Sequence, residues 1–320
     1  MAILLLGALS VFLALNMGVS GFAVAFAPSY GSRVLTRAKA AFLYGACVFA
    51  GGLLVGPRVV DTLVNRIALT QFSPASGLLI LFSAAFTMFL SNMLKVPQST
   101  SFVIVGGFLG AGLFYGNVNW PMIAVIVVVG AAFSGLSFLA TLLAKRKVYP
   151  PRNGNLRFYE NFHIHKRKLR NFIIFTDMYA AFGIGTNNVA NVVAPVVGSA
   201  AVSPLLAIAL AAPLFGLGAF MSGGRVIKTV SRDIVPIGQI SAAIVSLVTA
   251  TFIIIASRLG LPAPYVQFTT FSVLAISCVK DGTGCTLGKS VLRKIVSVWV
   301  LVPLCTVGIS WLLHIVFIGG

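Results

Sequence analysis

The sequence predicts an all-α integral membrane protein built from two inverted repeats, and three observations support this prediction. Hydrophobic residues make up 58% of the 320-residue chain and charged residues only 9%, whereas soluble domains carry about 25% charged residues. Apolar runs that approach the roughly 20 residues of a spanning helix recur along the whole length. A Gly-rich motif occurs twice. We therefore expect a duplicated bundle of membrane helices.

The apolar runs give the order of the elements. We expect membrane helices near residues 1–30, 38–55, 76–94, 99–116, 121–145, 170–200, 203–220, 237–257, 265–279 and 292–317. The first run has no basic region ahead of it, so we interpret it as a membrane segment and not as a cleaved signal. The runs 1–30 and 170–200 are long and rich in Gly and Pro. We expect each to be broken or re-entrant, which gives about 10–12 membrane segments.

The duplication is visible at one ungapped offset. The segment Gly18–Ser32 aligns with Gly185–Ser199 at an offset of 167 residues, and the same offset pairs Arg58 with Arg225. Each half then contains five crossings by this count. Because five is odd, the second half starts on the opposite side from the first. This predicts an inverted repeat, the arrangement of many secondary transporters.

The repeat also predicts the domain organisation. The first transmembrane repeat covers 1–145, a basic loop covers 146–169, and the second repeat covers 170–320. Basic residues mark the cytoplasmic loops of membrane proteins. Nine Lys and Arg residues lie between positions 145 and 170, so we expect this loop in the cytoplasm.

Alternation of the helices then assigns a side to every basic residue. Twenty of the 23 Lys and Arg residues fall inside, and three fall outside, namely Arg58, Arg66 and Arg258. A wrong number of spans would have scrambled this bias. The sequence therefore predicts a multi-pass protein of the cytoplasmic membrane, the cell membrane, with both termini extracytoplasmic.

Several functional classes are disfavoured. The net charge of +18 comes without the aromatic-rich basic surface of a nucleic-acid protein. The run Gly282–Ser290 resembles a phosphate-binding loop, but Thr283 stands where the pattern needs Gly, and no strand precedes it. Neither a metal-ligand cluster nor a nucleophile–His pair is evident. We expect no cofactor, no metal and no catalytic residue. An intramembrane enzyme acting on a lipid phosphate and a passive anion channel are the remote alternatives.

The Gly-rich repeats are the first candidate site. Irregular backbone inside a membrane survives where it lines a cavity, and its free N–H groups suit an anion. The alternative is close helix packing through small residues. The candidate substrate-binding residues of the two repeats are Ser20, Gly21, Phe22, Asn187, Asn188 and Asn191.

The second candidate site follows two prolines that the repeat relates, Pro97 and Pro264. Hydroxyl and amide side chains just after a proline, at the start of an apolar run, are typical of a helix N-terminus with capping donors. The alternative is simple capping at the membrane edge. The candidate residues are Gln98, Ser99, Thr100, Gln267 and Thr269.

Asp177 is the candidate for ion coupling. It lies in an apolar run eight residues before Gly185, and an intramembrane acid is costly and often functional. We expect it to carry a coupling proton. The alternative is an acid at the cytoplasmic interface, paired with Arg170. Asp61 lies near Arg58, so a solvated ion pair is the expectation there.

Together, the paired Gly-rich repeats, the Pro97–Ser101 stretch and the Gly224–Thr229 stretch resemble the inorganic phosphate transporter (PiT) family over nearly the whole chain. That family carries the signature Gly-Ala-Asn-Asp-Val-Ala-Asn-Ala once per half and a second motif, Pro-x-Ser-Thr-Thr. The resemblance implies anion uptake, with both motifs at the substrate site and the signature Asp residues serving cation coupling.

The chain departs from that signature at its acids. The signature Asp corresponds to Gly21 and Asn188, and the preceding Asn corresponds to Ser20 and Asn187. A carboxylate suits phosphate, because it accepts the P–OH hydrogen, but it repels sulfate, which only accepts. The stretch from Met17 also resembles the CysP-type sulfate permease branch. We therefore expect a sulfate transporter in the lipid bilayer, coupled to H⁺ or Na⁺ and working by alternating access. Phosphate and thiosulfate as substrates, and a homodimer, are left open.

Overall fold

The computed structural model describes residues 1–31, 34–93, 98–149, 156, 166–199, 202–221, 238–282 and 290–319. Over these residues the fold is helical, with one isolated β-bridge between Ala68 and Val118. The helices there are α1 (Ala2–Gly31), α2 (Arg37–Asp61), α3 (Pro74–Met93), α4 (Thr100–Phe114), α5 (Trp120–Val148), α6 (Lys166–Gly198), α7 (Pro204–Met221), α8 (Gln239–Arg258), α9 (Tyr265–Asp281) and α10 (Ser290–Phe317).

Helix length separates two groups of elements. In the described part of the chain, eight helices are long and apolar enough to cross a membrane. The other two, α4 and α9, have 15 and 17 residues. A π-helical turn, Thr62–Arg66, extends α2. The all-α membrane class predicted from the sequence is confirmed, because in hydrocarbon a helix satisfies its own backbone groups.

The two Gly-rich segments are continuous, so the expectation that 1–30 and 170–200 are broken is wrong. α1 runs unbroken for 30 residues and α6 for 33. Their glycines serve close contact instead. A Cβ at Gly18 would overlap the backbone of Phe215, and a Cβ at Gly185 would overlap the backbone of Val48. Small residues at such points let membrane helices approach closely.

These close contacts exchange between the two halves. Phe215 follows Val48 by 167 positions, the same offset that relates the two glycines. A second pair behaves alike, because a Cβ at Gly51 would meet the carbonyl of Phe182 and a Cβ at Gly218 would meet that of Leu15. Reciprocal contacts of this kind are what a two-fold relation between repeats produces.

The starts of α1 and α3 and the ends of α4, α6 and α10 lie together at one end of the bundle, here called the terminal end. Gly77 of α3 lies between the Leu6 side chain of α1 and the Pro195 backbone of α6. Tyr115, which follows α4, packs its ring edge-on against His314 of α10 at 6.1 Å. α3 and α4 pack against each other.

The opposite end, here called the loop end, holds the helix ends that flank the segments predicted to be basic. Lys145 near the end of α5 donates a hydrogen bond of 2.8 Å to Ser241 at the start of α8. Arg37 at the start of α2 donates to the carbonyl of Phe220 near the end of α7. α2 therefore runs from the loop end to the terminal end, where Ala68 pairs with Val118.

Two helical hairpins reach toward the middle of the bundle from opposite ends. The α3–α4 hairpin enters from the terminal end, and the α8–α9 hairpin enters from the loop end. Each packs against the other half of the chain, α4 against α10 and α9 against α5. Ser101 and Ala263, next to the two tips, both hydrogen-bond to Asn187, about two-thirds of the way along α6.

Some expectations concern positions outside the described residues. These positions include Pro97, most of the 146–169 loop, the Gly224–Thr229 stretch and residues 283–289 of the run that resembles a phosphate-binding loop.

Candidate functional site

A cavity of about 460 Å³ lies at the middle of the bundle, where α1 and α6 meet the starts of α4 and α9. Its lining residues are Asn16, Met17, Val19, Ser20, Gly21, Ala23, Val24, Met88, Gln98, Thr100, Ile184, Asn188, Tyr265 and Val266.

Five residues that the sequence selected line this one cavity. They are Ser20, Gly21, Gln98, Thr100 and Asn188. They come from three elements and from both halves of the chain, so the fold brings the two Gly-rich repeats and the first proline-associated stretch to a common space.

The two short helices begin at the cavity. Thr100 is the first residue of α4 and Tyr265 the first of α9, and both line it. Ser99 caps α4, its Oγ accepting from the Phe102 N–H at 3.4 Å. A helix N-terminus carries unsatisfied N–H groups and a partial positive charge. The positive ends of two helices, one from each half, therefore face the same space.

Gln98 is the lining residue with unused hydrogen-bonding capacity. Its side chain is 8% exposed. Among the described residues neither its Nε2 nor its Oε1 has a hydrogen-bond partner. A buried amide without partners is costly, so such a group signals a bound water or ligand. Gln98 can offer an anion two N–H donors.

Asn187 and Asn191 bond to the protein and do not line the cavity. Asn187 Nδ2 donates to Ser101 Oγ at 2.6 Å and to the Ala263 carbonyl at 3.1 Å, and its Oδ1 accepts from the Ala263 N–H at 3.1 Å. Asn191 Nδ2 donates to the same Ser101 Oγ at 2.9 Å. α6 thus ties together the inner ends of the two hairpins.

The remaining selected residues lie beside the cavity. Phe22 is buried and stacks on Phe26 with ring centroids 5.6 Å apart. Ser99 and Gln267 line a narrow crevice that also borders Gln98. Thr269 Oγ1 donates to the carbonyl one turn earlier in its own helix, at 3.0 Å.

Gly21 is covered on its side-chain face by Tyr44. A Cβ at Gly21 would overlap the Tyr44 hydroxyl and would lie 3.4 Å from Ile184 Cγ2. Tyr44 is fully buried, and within the described chain its hydroxyl has no hydrogen-bond partner. Its ring stands nearly perpendicular to that of Phe26, at 87°. A carboxylate side chain has no room at position 21.

Asp177 is fully buried in α6, on the loop-end side of the cavity. Its Oδ2 accepts a hydrogen bond of 3.0 Å from the Ser29 backbone N–H in α1, while Oδ1 has no partner among the described residues. The described partner is thus a backbone group in the first Gly-rich repeat, whereas Arg170 is exposed.

The sequence reasoning missed three prominent lining residues, Asn16, Met17 and Tyr265. Asn16 lies one turn before Ser20, where a helix carries residues four apart on one face. Tyr265 directly follows Pro264, in the stretch from which Gln267 and Thr269 were chosen. Helical periodicity in the first case, and the first helical position in the second, are the signals that could have found them.

The lining polar groups are neutral. Hydroxyls, amides and two helix N-termini lie among apolar side chains in the cavity wall, and the lining residues within the described part of the chain include no Asp, Glu, Lys, Arg or His. The described residues contain no cluster of His, Cys, Asp and Glu that could hold a metal ion. Long apolar helices around a central cavity that carries neutral polar side chains are the architecture of a multi-pass membrane transporter.

Comparison with known proteins identifies the family. Residues 17–310 match the phosphate transporter family, so the chain belongs to it and is a transporter of inorganic anions, not an enzyme. It is 29% identical to the sulfate permease CysP of Bacillus subtilis, over 97% of this chain and 86% of that protein. It is 25% identical to a putative phosphate permease of Methanocaldococcus jannaschii, over 96% of this chain and 95% of that protein.

A solved structure shares the fold. The chain resembles a sodium-dependent phosphate transporter with a TM-score of 0.82 and 23% identity, over 98% of each chain.

Proposed function

We propose that this protein is a secondary active transporter that imports sulfate across the cell membrane by alternating access around the central cavity. The observation that carries the proposal is that the described residues lining the cavity are all neutral. Sulfate is an acceptor-only dianion at neutral pH, so N–H and O–H donors can satisfy it without a carboxylate. Donor groups in a water-poor site are the means by which proteins hold such anions.

Alternating access would use the inverted halves. The reciprocal glycine contacts and the two hairpins entering from opposite ends support a pseudo-two-fold relation between 1–145 and 170–320. In such proteins, substrate sites lie at the repeat interface near the bilayer midplane. The cavity lies between α1 and α6, one helix from each half, which supports such a site here. The basic loop end would be cytoplasmic and both termini extracytoplasmic.

Asp177 would carry the coupling proton. An intramembrane carboxyl with a free oxygen can gain and lose a proton, and this one bridges α6 to the first Gly-rich repeat. Protonation of Asp177 would then affect α1, the helix that forms one wall of the cavity.

The selectivity test uses purified protein in liposomes with radiolabelled sulfate and phosphate in competition. The wild-type chain should accumulate sulfate, with phosphate a weak competitor. Asn188→Asp should lower sulfate uptake about tenfold or more, because it adds a like charge to the cavity. Asn188→Ala, which removes the amide without adding charge, is the control and should lose less. Stronger accumulation of phosphate than sulfate by the wild type contradicts the proposal.

The coupling test separates proton-driven uptake from exchange. Asp177→Asn should abolish accumulation driven by a pH gradient while retaining sulfate–sulfate exchange, which needs no net proton movement. Glu160→Gln, at an acid of the basic 146–169 loop, is the matched control. Unchanged proton-driven uptake in Asp177→Asn would falsify the role, and uptake that follows an imposed Na⁺ gradient alone assigns coupling to sodium.

A phosphate symporter is the second candidate. It is favoured by the matched relatives that are named phosphate permeases and by the fold shared with a sodium-dependent phosphate transporter. The Asn188 and Gln98 carbonyl oxygens could accept a P–OH hydrogen. The same competition experiment decides between the two anions.

A further inference from the structure

Three arginines from two parts of the chain meet in one cleft, on the terminal-end side of the α8–α9 hairpin tip. Arg58, Arg66 and Arg258 line a cleft of about 420 Å³, together with Asp61. These are the three basic residues that the charge pattern assigns to the outer side. The fold therefore gathers all the arginines of that side into one place.

Asp61, the one acid among the described residues that line the cleft, already has hydrogen-bond and ion-pair partners. Asp61 accepts hydrogen bonds from Asn65 at 2.9 Å and from Arg66 Nε at 3.0 Å, and it forms an ion pair of 2.9 Å with Arg66. The sequence expectation that Asp61 pairs with Arg58 is therefore wrong. The π-helical turn accounts for this, because it brings Arg66 back over Asp61.

Arg58 and Arg258 remain without a carboxylate. Arg58 donates through Nη1 to the backbone carbonyl of Arg258 at 2.9 Å, which uses one of its five N–H donors. Neither arginine pairs with an acid among the described residues. The cleft thus carries two uncompensated positive charges, which match a doubly charged anion.

The floor of the cleft is the turn that leads to the central cavity. Gly260 has φ +77, and a Cβ there would lie 3.1 Å from both the Arg58 carbonyl oxygen and Thr62 Oγ1. The turn therefore sits directly against α2. Its inner side bonds to α6 through Ala263, and Tyr265, five residues after Gly260, lines the cavity. A ligand in the cleft would rest on the outer face of this turn.

We propose that the arginine cleft is a second binding site, for a tetrahedral oxyanion dianion, at which the anion is collected before it reaches the central cavity. Arg58 and Arg258 are its donors, since a guanidinium offers the paired N–H groups that oxyanions prefer. The naming of sulfate as its ligand rests on the proposed function. An anionic lipid headgroup shares this chemistry, and the test separates the two.

The binding test measures local charge at matched cysteines. Leu259→Cys and Leu69→Cys are made in the full chain with the four native cysteines replaced by alanine and purified in neutral detergent. The two leucines are 61% and 59% exposed. Of these two leucines, Leu259 lines the cleft and Leu69 does not. The modification rates by a negatively and a positively charged thiol reagent are compared at each site.

The ratio of the modification rate by the negative reagent to that by the positive reagent should be about tenfold higher at position 259 than at position 69. The reason is that local positive charge concentrates the negative reagent. Arg58→Gln with Arg258→Gln should remove most of that preference. Sulfate should slow the negative reagent at 259 and leave 69 unchanged. Equal preferences at both sites overturn the proposal. Protection by phosphatidylglycerol and not by sulfate overturns it too, in favour of a lipid site.

Transport gives the second readout. In liposomes, Arg58→Gln with Arg258→Gln should raise KM for sulfate about three- to tenfold at low ionic strength and leave kcat unchanged, with the difference shrinking in high salt. A fall in kcat with KM unchanged contradicts an anion-collecting role. If position 259 shows the charge preference and the sulfate protection but the chain transports no sulfate, the transport proposal is refuted and the cleft proposal stands. If the chain transports sulfate but position 259 shows neither, the cleft proposal is refuted.

Discussion

In α1, the Gly-rich motif places Ser20 and Gly21 in the wall of the cavity, with the Tyr44 hydroxyl packed behind the glycine. In α6, the equivalent residues divide their tasks. Asn188 lines the cavity, while Asn187 holds the two hairpins by three hydrogen bonds. The first copy carries small side chains that leave space at the cavity, whereas the amide side chains of the second copy form hydrogen bonds to the two hairpins.

The difference shows how a duplicated motif can lose its symmetry at side chains while keeping it in the backbone. The close contacts of Gly18 and Gly185 are reciprocal. The polar contacts are not, because Ser20 Oγ only donates to the Met17 carbonyl in its own helix, at 3.2 Å. Helix packing is therefore shared by the halves, whereas among the described residues the hydrogen bonds that connect the hairpins centre on α6 of the second half.

The largest expected effect tests the shared part. Gly18→Ala and Gly185→Ala should each destabilise the protein by about 3 kcal/mol, because the new methyl overlaps backbone that cannot rotate away. Gly7→Ala is the control and should be neutral, since no atom lies within 4 Å of a Cβ there. Thermal unfolding in detergent measures all three. Clearly unequal losses at the two motif glycines would contradict the reciprocal packing.

The next effect tests the asymmetric part. Asn187→Ala leaves the buried Ala263 N–H unpaired and removes the donor bonds to Ser101 and to the Ala263 carbonyl, so we expect a loss of about 2–3 kcal/mol and a large fall in transport. Ser20→Ala, at the equivalent position, removes one bond within its own helix and should change stability by less than about 0.5 kcal/mol. Similar unfolding temperatures for the two variants would mean that α6 does not hold the hairpins.

The sequence predicted the helices well because hydrophobicity alone nearly determines them in a membrane. The expected segment 203–220 became Pro204–Met221, and 99–116 became Thr100–Phe114. The task of the glycines was not predictable in the same way. Whether a glycine breaks a helix or admits a neighbour depends on the neighbour, and Phe215 lies 197 positions after Gly18 in the chain.

The site was predictable as a set of segments but not residue by residue. Asn187 and Asn188 are adjacent, yet adjacent residues point about 100° apart around a helix with 3.6 residues per turn. The motif therefore could not tell which amide faces the cavity. The same limit applied to Phe22 next to Gly21. Tyr44 carries no motif signal, because it acts through its contact with a residue of another helix.

The Gly21–Tyr44 contact provides the third test. Gly21→Ala should destabilise the protein by about 1–2 kcal/mol and reduce transport, since the new methyl overlaps the Tyr44 hydroxyl. Tyr44→Phe should be mild by itself and should restore most of the loss in the double variant, because it removes the overlapping oxygen. The double-mutant cycle measures this coupling. Additive effects in the cycle would show that the hydroxyl is not what keeps position 21 free of a side chain.

The smallest effect concerns Asn191, whose counterpart in the first half is Val24. Asn191→Ala loses one hydrogen bond to Ser101, worth about 1 kcal/mol, but it also removes a buried oxygen, Oδ1, that has no partner among the described residues. The two terms offset each other, so we expect a change below about 1 kcal/mol, well short of the loss in Asn187→Ala. Thermal unfolding and sulfate uptake of both variants check this order. If Asn191→Ala were as damaging as Asn187→Ala, Ser101 would be the centre of the connection, and the hairpins would be held by the pair of amides acting together.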